Sequence, residues 1–257
     1  MKIKILATSD LHGYISPYRY SDKTLAMQGL ARLSGHIHQL RDENTLLIDN
    51  GDCLQGSPLN YYHSLFERDK THPMAAVLNH LEYDYYNLGN HDFNFGTDYL
   101  HQYMNDLNAE CLTGNIVENE EAMGADYTVH YFDDEHCIAL IGVTTQHIPV
   151  WEQPKNITGI SFENAFEYVE RTVMMIKENE NVDGIAVIYH GGFEKDMTTG
   201  KETELLTEEN LAYKMCTEID GIDLVITGHQ HRSFATVCNG IPTTQTNSNG
   251  QEIAYVE

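Results

Sequence analysis

Basic residues are scarce in this chain: 15 Lys and Arg stand against 39 Asp and Glu, a formal charge of −24. A surface of that sign repels nucleic-acid polyanions and anionic membranes at long range, so neither polymeric nucleic acid nor a membrane is expected as a partner. Bound cations, which the formal count omits, would answer part of the charge. Cysteine is thin as well. Cys53, Cys111, Cys137, Cys216 and Cys238 form no CxxC pair and are odd in number. That argues against a disulfide framework and a thiolate zinc site, fits a reducing compartment, and leaves the thiols as small buried hydrophobes. No apolar run is long enough to span a bilayer. There is no low-complexity segment and no repeat of fixed period. Residues 2–8 run directly into the first motif without a leader pattern, so the expected compartment is cytoplasmic as the sequence stands. A periplasmic or cell-surface place stays open if a signal was removed. The Asn156-Ile157-Thr158 sequon carries little weight without a secretory route.

What remains is ordinary for a globular protein: 41% hydrophobic and 21% charged residues in 257. That length suits one large α/β domain or two small ones. Strand-like runs fall at Ile3–Thr8, Thr45–Asp49, Tyr85–Leu88, Cys137–Val143, Ile185–Tyr189 and Leu224–Thr227. Helical periodicity falls at Gln28–Arg41, Pro73–Leu81, Thr97–Leu107, Phe162–Glu178 and Thr207–Thr217, the last with Thr207 as a cap. Alternating strands and helices predict parallel β-α units. Asn115–Asp126, acidic and glycine-containing, reads as an exposed excursion.

Five of the strands end on residues that a solvated turn does not need. "KIKILATSDLHG" ends on Asp10 and His12, "NTLLIDNGD" on Asp52, and "YDYYNLGNHD" on Asn90, His91 and Asp92. "GIAVIYHGG" ends on His190, and "IDLVITGHQH" on His229 and His231. Each motif alone has a plain explanation. A DxH at a strand end is usually a turn aspartate beside a histidine, and NGD is a common turn because Asn and Gly tolerate left-handed backbone. GNHD and GHxH say more. Open α/β sheets collect ligands at the carboxyl ends of their strands, so parallel neighbours would bring all these groups to one rim. Asp10, His12, Asp52, Asn90, His190, His229 and His231 mix hard oxygens with imidazoles and include no thiolate. That set suits Mn, Fe, Zn or Co and is too nitrogen-rich for Ca²⁺. Seven groups exceed one tetrahedral ion but suit two divalent ions sharing a carboxylate, the arrangement that clamps both oxygens of an in-line phosphoryl transfer. The other nine histidines lie outside these strand ends. His36 and His38 face different ways on a helix and make no ligand pair.

Together "SDLHG", "DNGD", "GNHD", "YHGG" and "TGHQH" resemble the calcineurin-like metallophosphoesterase superfamily, over Asp10 to His231. "DNGDCLQGSPL", "GNHDFNFG" and "GIDLVITGHQHR" resemble its bacterial 5'-nucleotidase group, and within that the 2',3'-cyclic-nucleotide 2'-phosphodiesterase/3'-nucleotidases. The resemblance implies an α/β, four-layer αββα sandwich with a dimetal site on top. It places Asp10, His12 and His231 on one ion, Asn90, His190 and His229 on the other, and Asp52 between them. It also implies that Asn90 and His91 meet the substrate phosphate, with His91 stabilising or protonating the leaving oxygen. Many 5'-nucleotidases orient that histidine with an aspartate three residues on. Here the position is Asn94, which the cyclic-nucleotide branch tolerates, so Asn94 and Asp92 are both open as its partner. Residues 1–257 are expected to form the catalytic domain, without the family's C-terminal nucleotide-binding domain. The expected activity is dimetal-dependent hydrolysis of a small nucleotide substrate. A 5'-nucleotidase, UDP-sugar hydrolase or other metallophosphatase is the alternative within the chemistry. A non-catalytic metal-binding module is the alternative outside it.

Overall fold

Strand β1 (Lys4–Thr8) lies parallel to β2 (Thr45–Asp49), with Thr8 opposite Asp49, so the two chains leave the sheet at the same edge. β3 (Tyr85–Tyr86) and β4 (Glu110–Cys111) continue the parallel order, and β14 (Ala254–Val256) closes the other side antiparallel to β1. In this computed structural model, which describes residues 1–257, a second sheet faces the first. Its parallel centre is β8 (Cys137–Thr144), β10 (Gly184–His190), β11 (Leu224–Thr227) and β13 (Ile241–Gln245). Antiparallel β7 (Thr128–Tyr131) and β12 (Phe234–Cys238) form its edges. A small third sheet joins β5 (Ile116–Glu118) to β6 (Glu121–Ala122) and β9 (Ile160–Phe162).

The near-continuous apolar runs of these strands follow from burial on both faces. Ile5, Ala7, Leu46 and Ile48 meet Leu140, Ala186, Ile188 and Ile226 between the sheets. Their alternate neighbours point outward. Leu6 and Leu47 pack under helices α1 (Leu30–Leu40), α3 (Pro73–His80) and α4 (Thr97–Asp106). Ile141, Val187 and Val225 pack under α6 (Ala165–Asn179) and α7 (Ala212–Glu218). Helix, sheet, sheet and helix make the four layers. No helix is long and apolar enough to cross a membrane.

Three expectations need correction, and one helix had none. The five motif-bearing strands are not neighbours in one sheet. β1, β2 and β3 belong to the first sheet and β10 and β11 to the second, because each sheet uses the other to cover its inner face. Helix α7 starts at Ala212 rather than Thr207, since Glu194 accepts the backbone N–H groups of Tyr213 (3.0 Å) and Lys214 (2.9 Å) at its first turn. Asn115–Asp126 is no simple excursion: Asn115 and Ile116 are buried, and Asn115 donates to the carbonyls of Thr144 (2.8 Å) and Glu163 (2.9 Å). Helix α2 (Pro58–Phe66) goes unpredicted because its polarity is inverted. Asn60, His63 and Ser64 face inward while Tyr61, Tyr62, Leu65 and Phe66 are exposed.

Candidate metal centre

The loop after β1 and the loop after β2 hold each other. Asp10 N–H donates to Gly51 O (2.9 Å) and His12 N–H to Asp52 O (2.7 Å). The backbone is forced to do this. Asp10, His12, Asp52, His229 and His231 all have φ between +49° and +68°. Left-handed backbone is unfavourable for side chains with a Cβ, so five such residues in one place mark a site whose surroundings over-determine it. Gly89 is required for space: a Cβ there would lie 2.2 Å from Asp52 Oδ1.

All seven expected ligands meet at this rim, where the two sheets' strands end. Asp10, Asp52 and His190 are fully buried, and His12 and Asn90 nearly so. Two groups of ligand atoms each lie within 4.8 Å of one another: Asp10, His12 and His231, and Asp10, Asp52 and His190. Asn90 joins the second side, its Oδ1 lying 2.8 Å from His229 Nδ1 and 3.3 Å from His190 Nε2. The carboxylate common to both groups is Asp10, whereas the sequence reading puts Asp52 between the ions. Asp52 Oδ2 lies 3.2 Å from His190 Nε2, and its Oδ1 accepts the His91 N–H at 2.7 Å.

One ring nitrogen of each inner histidine is committed to an acceptor behind the site, and the other faces the rim residues. His12 Nδ1 donates to Gln55 O (2.8 Å), and His190 Nδ1 to Asn50 O (2.6 Å). His229 Nε2 donates to Glu209 Oε1 (2.9 Å). That second layer of acceptors is what metal-ligating histidines have, because it orients the ring and aims its other nitrogen inward. The electrostatics agree. Burial raises the Asp52 carboxyl, but the imidazoles of His190, His12 and His91 outweigh it and hold the group well below the usual range. Burial lowers His190, yet Asp52 and Asp10 push it up to about 10. Two buried carboxylates demand positive charge, and in this chain alone a proton on His190 supplies it. The donor set therefore fits divalent cations.

The remaining expected residues separate. His91 is half-buried beside the site, its ring 5.4 Å from that of His12. Asn94 meets it, with Oδ1 2.7 Å from His91 Nδ1. Asp92, expected as a catalytic group or orienting partner, is neither in this geometry. Its Oδ1 accepts from the N–H groups of Cys53 (2.8 Å) and Leu54 (2.9 Å), and its Oδ2 from those of Asp52 (2.9 Å) and Gly89 (2.8 Å). Asp92 ties one loop to the other and leaves no oxygen for His91. Sequence reading missed Asn50, though it stands inside "DNGD". It also missed Glu209, which has no motif around it, and Trp151, whose ring stacks on His229 at 5.4 Å from the end of the short helix α5 (Ile148–Trp151).

Comparison with known proteins places this geometry among relatives. The family model for calcineurin-like phosphoesterase matches residues 3–233. The chain is 31% identical, over 99% of its length, to the trifunctional nucleotide phosphoesterase protein YfkN of Bacillus subtilis, covering 19% of that protein. It is 28% identical, again over 99% of its length, to the 2',3'-cyclic-nucleotide 2'-phosphodiesterase/3'-nucleotidase of Salmonella typhimurium, covering 43% of it. A solved structure of a candidate 5'-nucleotidase from Staphylococcus aureus superposes with a TM-score of 0.93 at 36% identity, over 98% of this chain and 50% of that one. The chain thus spans less than half the length of these curated relatives.

Proposed function

Because this chain belongs to the calcineurin-like phosphoesterase family, whose members use a dimetal centre, we propose that residues 1–257 form a catalytic domain that hydrolyses nucleotide phosphoesters. The observation that carries the reading is the convergence of Asp10, His12, Asp52, Asn90, His190, His229 and His231 from both sheets onto one rim, buried on the Asp10, Asp52 and His190 side and open at His231. Asp10, His12 and His231 would hold one divalent ion and Asn90, His190 and His229 the other, with Asp52 between them. Mn, Fe, Zn and Co all suit such a donor set. When bound, the ions act as Lewis acids toward phosphoryl oxygens and lower the pKa of water. The chain's own part is orientation and proton supply. Asn90 would meet a phosphate oxygen, and His91 keeps Nε2 free of protein partners while Nδ1 is bound. From there, once Nε2 has taken a proton, it would hydrogen-bond the phosphate and stabilise or protonate the leaving ester oxygen.

The substrate class is a 2',3'-cyclic nucleotide or 3'-nucleotide, supported by the name of the Salmonella typhimurium relative. A 5'-nucleotidase or UDP-sugar hydrolase shares the same chemistry and differs in how the nucleoside is held. The test is a chelated preparation returned to activity with Mn²⁺, Fe²⁺, Zn²⁺ or Co²⁺. It is assayed on 2',3'-cyclic AMP, 3'-AMP, 5'-AMP and UDP-glucose, with metal counted by mass spectrometry. Two ions per chain and ion-dependent turnover of the first two compounds is the expected result. Turnover indifferent to chelation, or none on any ester, would overturn the reading.

A further inference from the structure

His91 rests on an amide, and an amide can turn over. With Asn94 Oδ1 against the ring at 2.7 Å, His91 Nδ1 must carry a proton. With the amide reversed, Nδ2 would donate instead, and the neutral ring's proton would move to Nε2. The group that decides lies behind Asn94. Asn94 Nδ2 donates to Glu152 Oε2, and a carboxylate offers only acceptors. Reversal would set the amide oxygen against a carboxylate oxygen. Glu152 is itself held: Oε1 accepts from Asn156 Nδ2 (2.9 Å) and from the Gln153 N–H (2.6 Å). Asn156 Nδ2 also donates to Asn94 O (3.0 Å), so the turn of Pro154–Asn156 grips both members of the relay.

We propose that Glu152 is a positioning residue, which through the Asn94 amide holds His91 in the Nδ1–H form and leaves Nε2 to serve the substrate. Where relatives are expected to set an aspartate against this histidine, this chain sets a neutral amide and moves the negative charge one residue outward. Deepening the role given to His91 above, the arrangement matters most at leaving-group departure. Once Nε2 has taken a second proton from solvent, the ester oxygen accepts that proton as it leaves with the P–O bonding pair, and the cationic ring returns to the neutral Nδ1–H tautomer without any change at Asn94. A leaving group that departs unprotonated has no need of it.

The test uses Glu152→Gln, Asn94→Asp and the double variant. In Glu152→Gln the introduced amide accepts either orientation of Asn94, so kcat on 3'-AMP falls about tenfold, with KM changed by less than about twofold. On bis(p-nitrophenyl) phosphate, whose leaving group needs no proton, kcat falls by less than about twofold. Asn94→Asp alone sets two carboxylates face to face and also loses activity. In the double variant the amide and the carboxylate have exchanged places, so the amide donates to the carboxylate and the charge now lies directly against His91. Turnover of 3'-AMP then recovers from the level of either single variant. Nitrogen-15 shifts of His91 in metal-free protein read the tautomer without turnover: Nδ1–H in the parent, a mixture in Glu152→Gln, Nδ1–H again in the double variant. An unchanged tautomer in Glu152→Gln, or equal losses on both esters, would overturn the proposal. A His91→Ala protein that still turns over 3'-AMP normally would remove the role assigned to His91, while the nitrogen shifts still judge the relay.

Discussion

The Nε2 atoms of His12 and His231 face each other across 3.0 Å. His12 cannot offer a proton there, because its Nδ1–H is committed to Gln55 O at 2.8 Å. Asp10 Oδ1 stands 3.3 Å from the same His231 nitrogen. Two ring nitrogens and a buried carboxylate oxygen at this spacing need a proton or a metal ion among them.

Metal binding should therefore displace protons. His190, held at about 10 in the metal-free chain, is protonated at neutral pH and must release that proton to become a ligand. Since the raised pKa belongs to the empty site, affinity for Mn²⁺ or Zn²⁺ should rise as pH climbs from 6 to 8, by up to about tenfold per unit per proton released. Calorimetry in buffers of differing ionisation enthalpy counts the protons, and binding without any release would contradict the assignment.

Glu209 orients His229 through the 2.9 Å bond to Nε2, so Glu209→Gln should weaken metal affinity roughly 10- to 100-fold. The fold should persist, because Glu209 is partly exposed. A competition titration against a chromogenic chelator measures the change. Unaltered affinity would mean that the bond is incidental.

Replacing Asp92 with asparagine sets an amide NH₂ against two of the four backbone N–H groups that the carboxylate now receives. Leaving two buried donors unpaired should cost about 3 kcal/mol in urea unfolding. If His91 depended on Asp92 directly, activity would fall with stability unchanged; the structure predicts that stability falls first.

His72 lies buried among His63, Tyr99 and Tyr103, and its Nε2 has no partner. Burial, with His63 beside it, pushes the ring down to about 3 from an ordinary 6.5. A folded-state pKa below the unfolded one gives stability that is complete above 6.5 and lost as pH falls toward 3. The slope approaches about 1.4 kcal/mol per unit. His72→Asn keeps an acceptor for the Met74 N–H and removes the titration, so its stability should fall less steeply between pH 6 and 4. Taking the difference between the two proteins cancels other groups, such as Asp49, which burial raises to about 7 and whose effect runs the opposite way. Parallel curves would show that His72 is not the acid-sensitive group.

Much of this was legible in the chain because the chemistry sits at strand ends. β1, β2, β10 and β11 are covered on both faces, so their residues must be apolar until the sheet stops. A polar residue at the boundary then stands out, as Asp10, Asp52, His190 and His229 do. Helix α2 was hidden for the converse reason: its exposed face is aromatic and its buried face polar, so periodicity points the wrong way.

The local order of residues by itself determined the strands, most helices and the seven groups that gather at the rim, since burial and backbone geometry act over a few neighbours. Tertiary structure alone decided that two sheets share the site. It alone turned Asp92 toward four backbone N–H groups, gave Asn94 to His91, and set Glu152 and Glu209 behind them. Most of those partners lie tens of residues apart in the chain, and a hydrogen bond reads distance and angle in space rather than separation along the sequence.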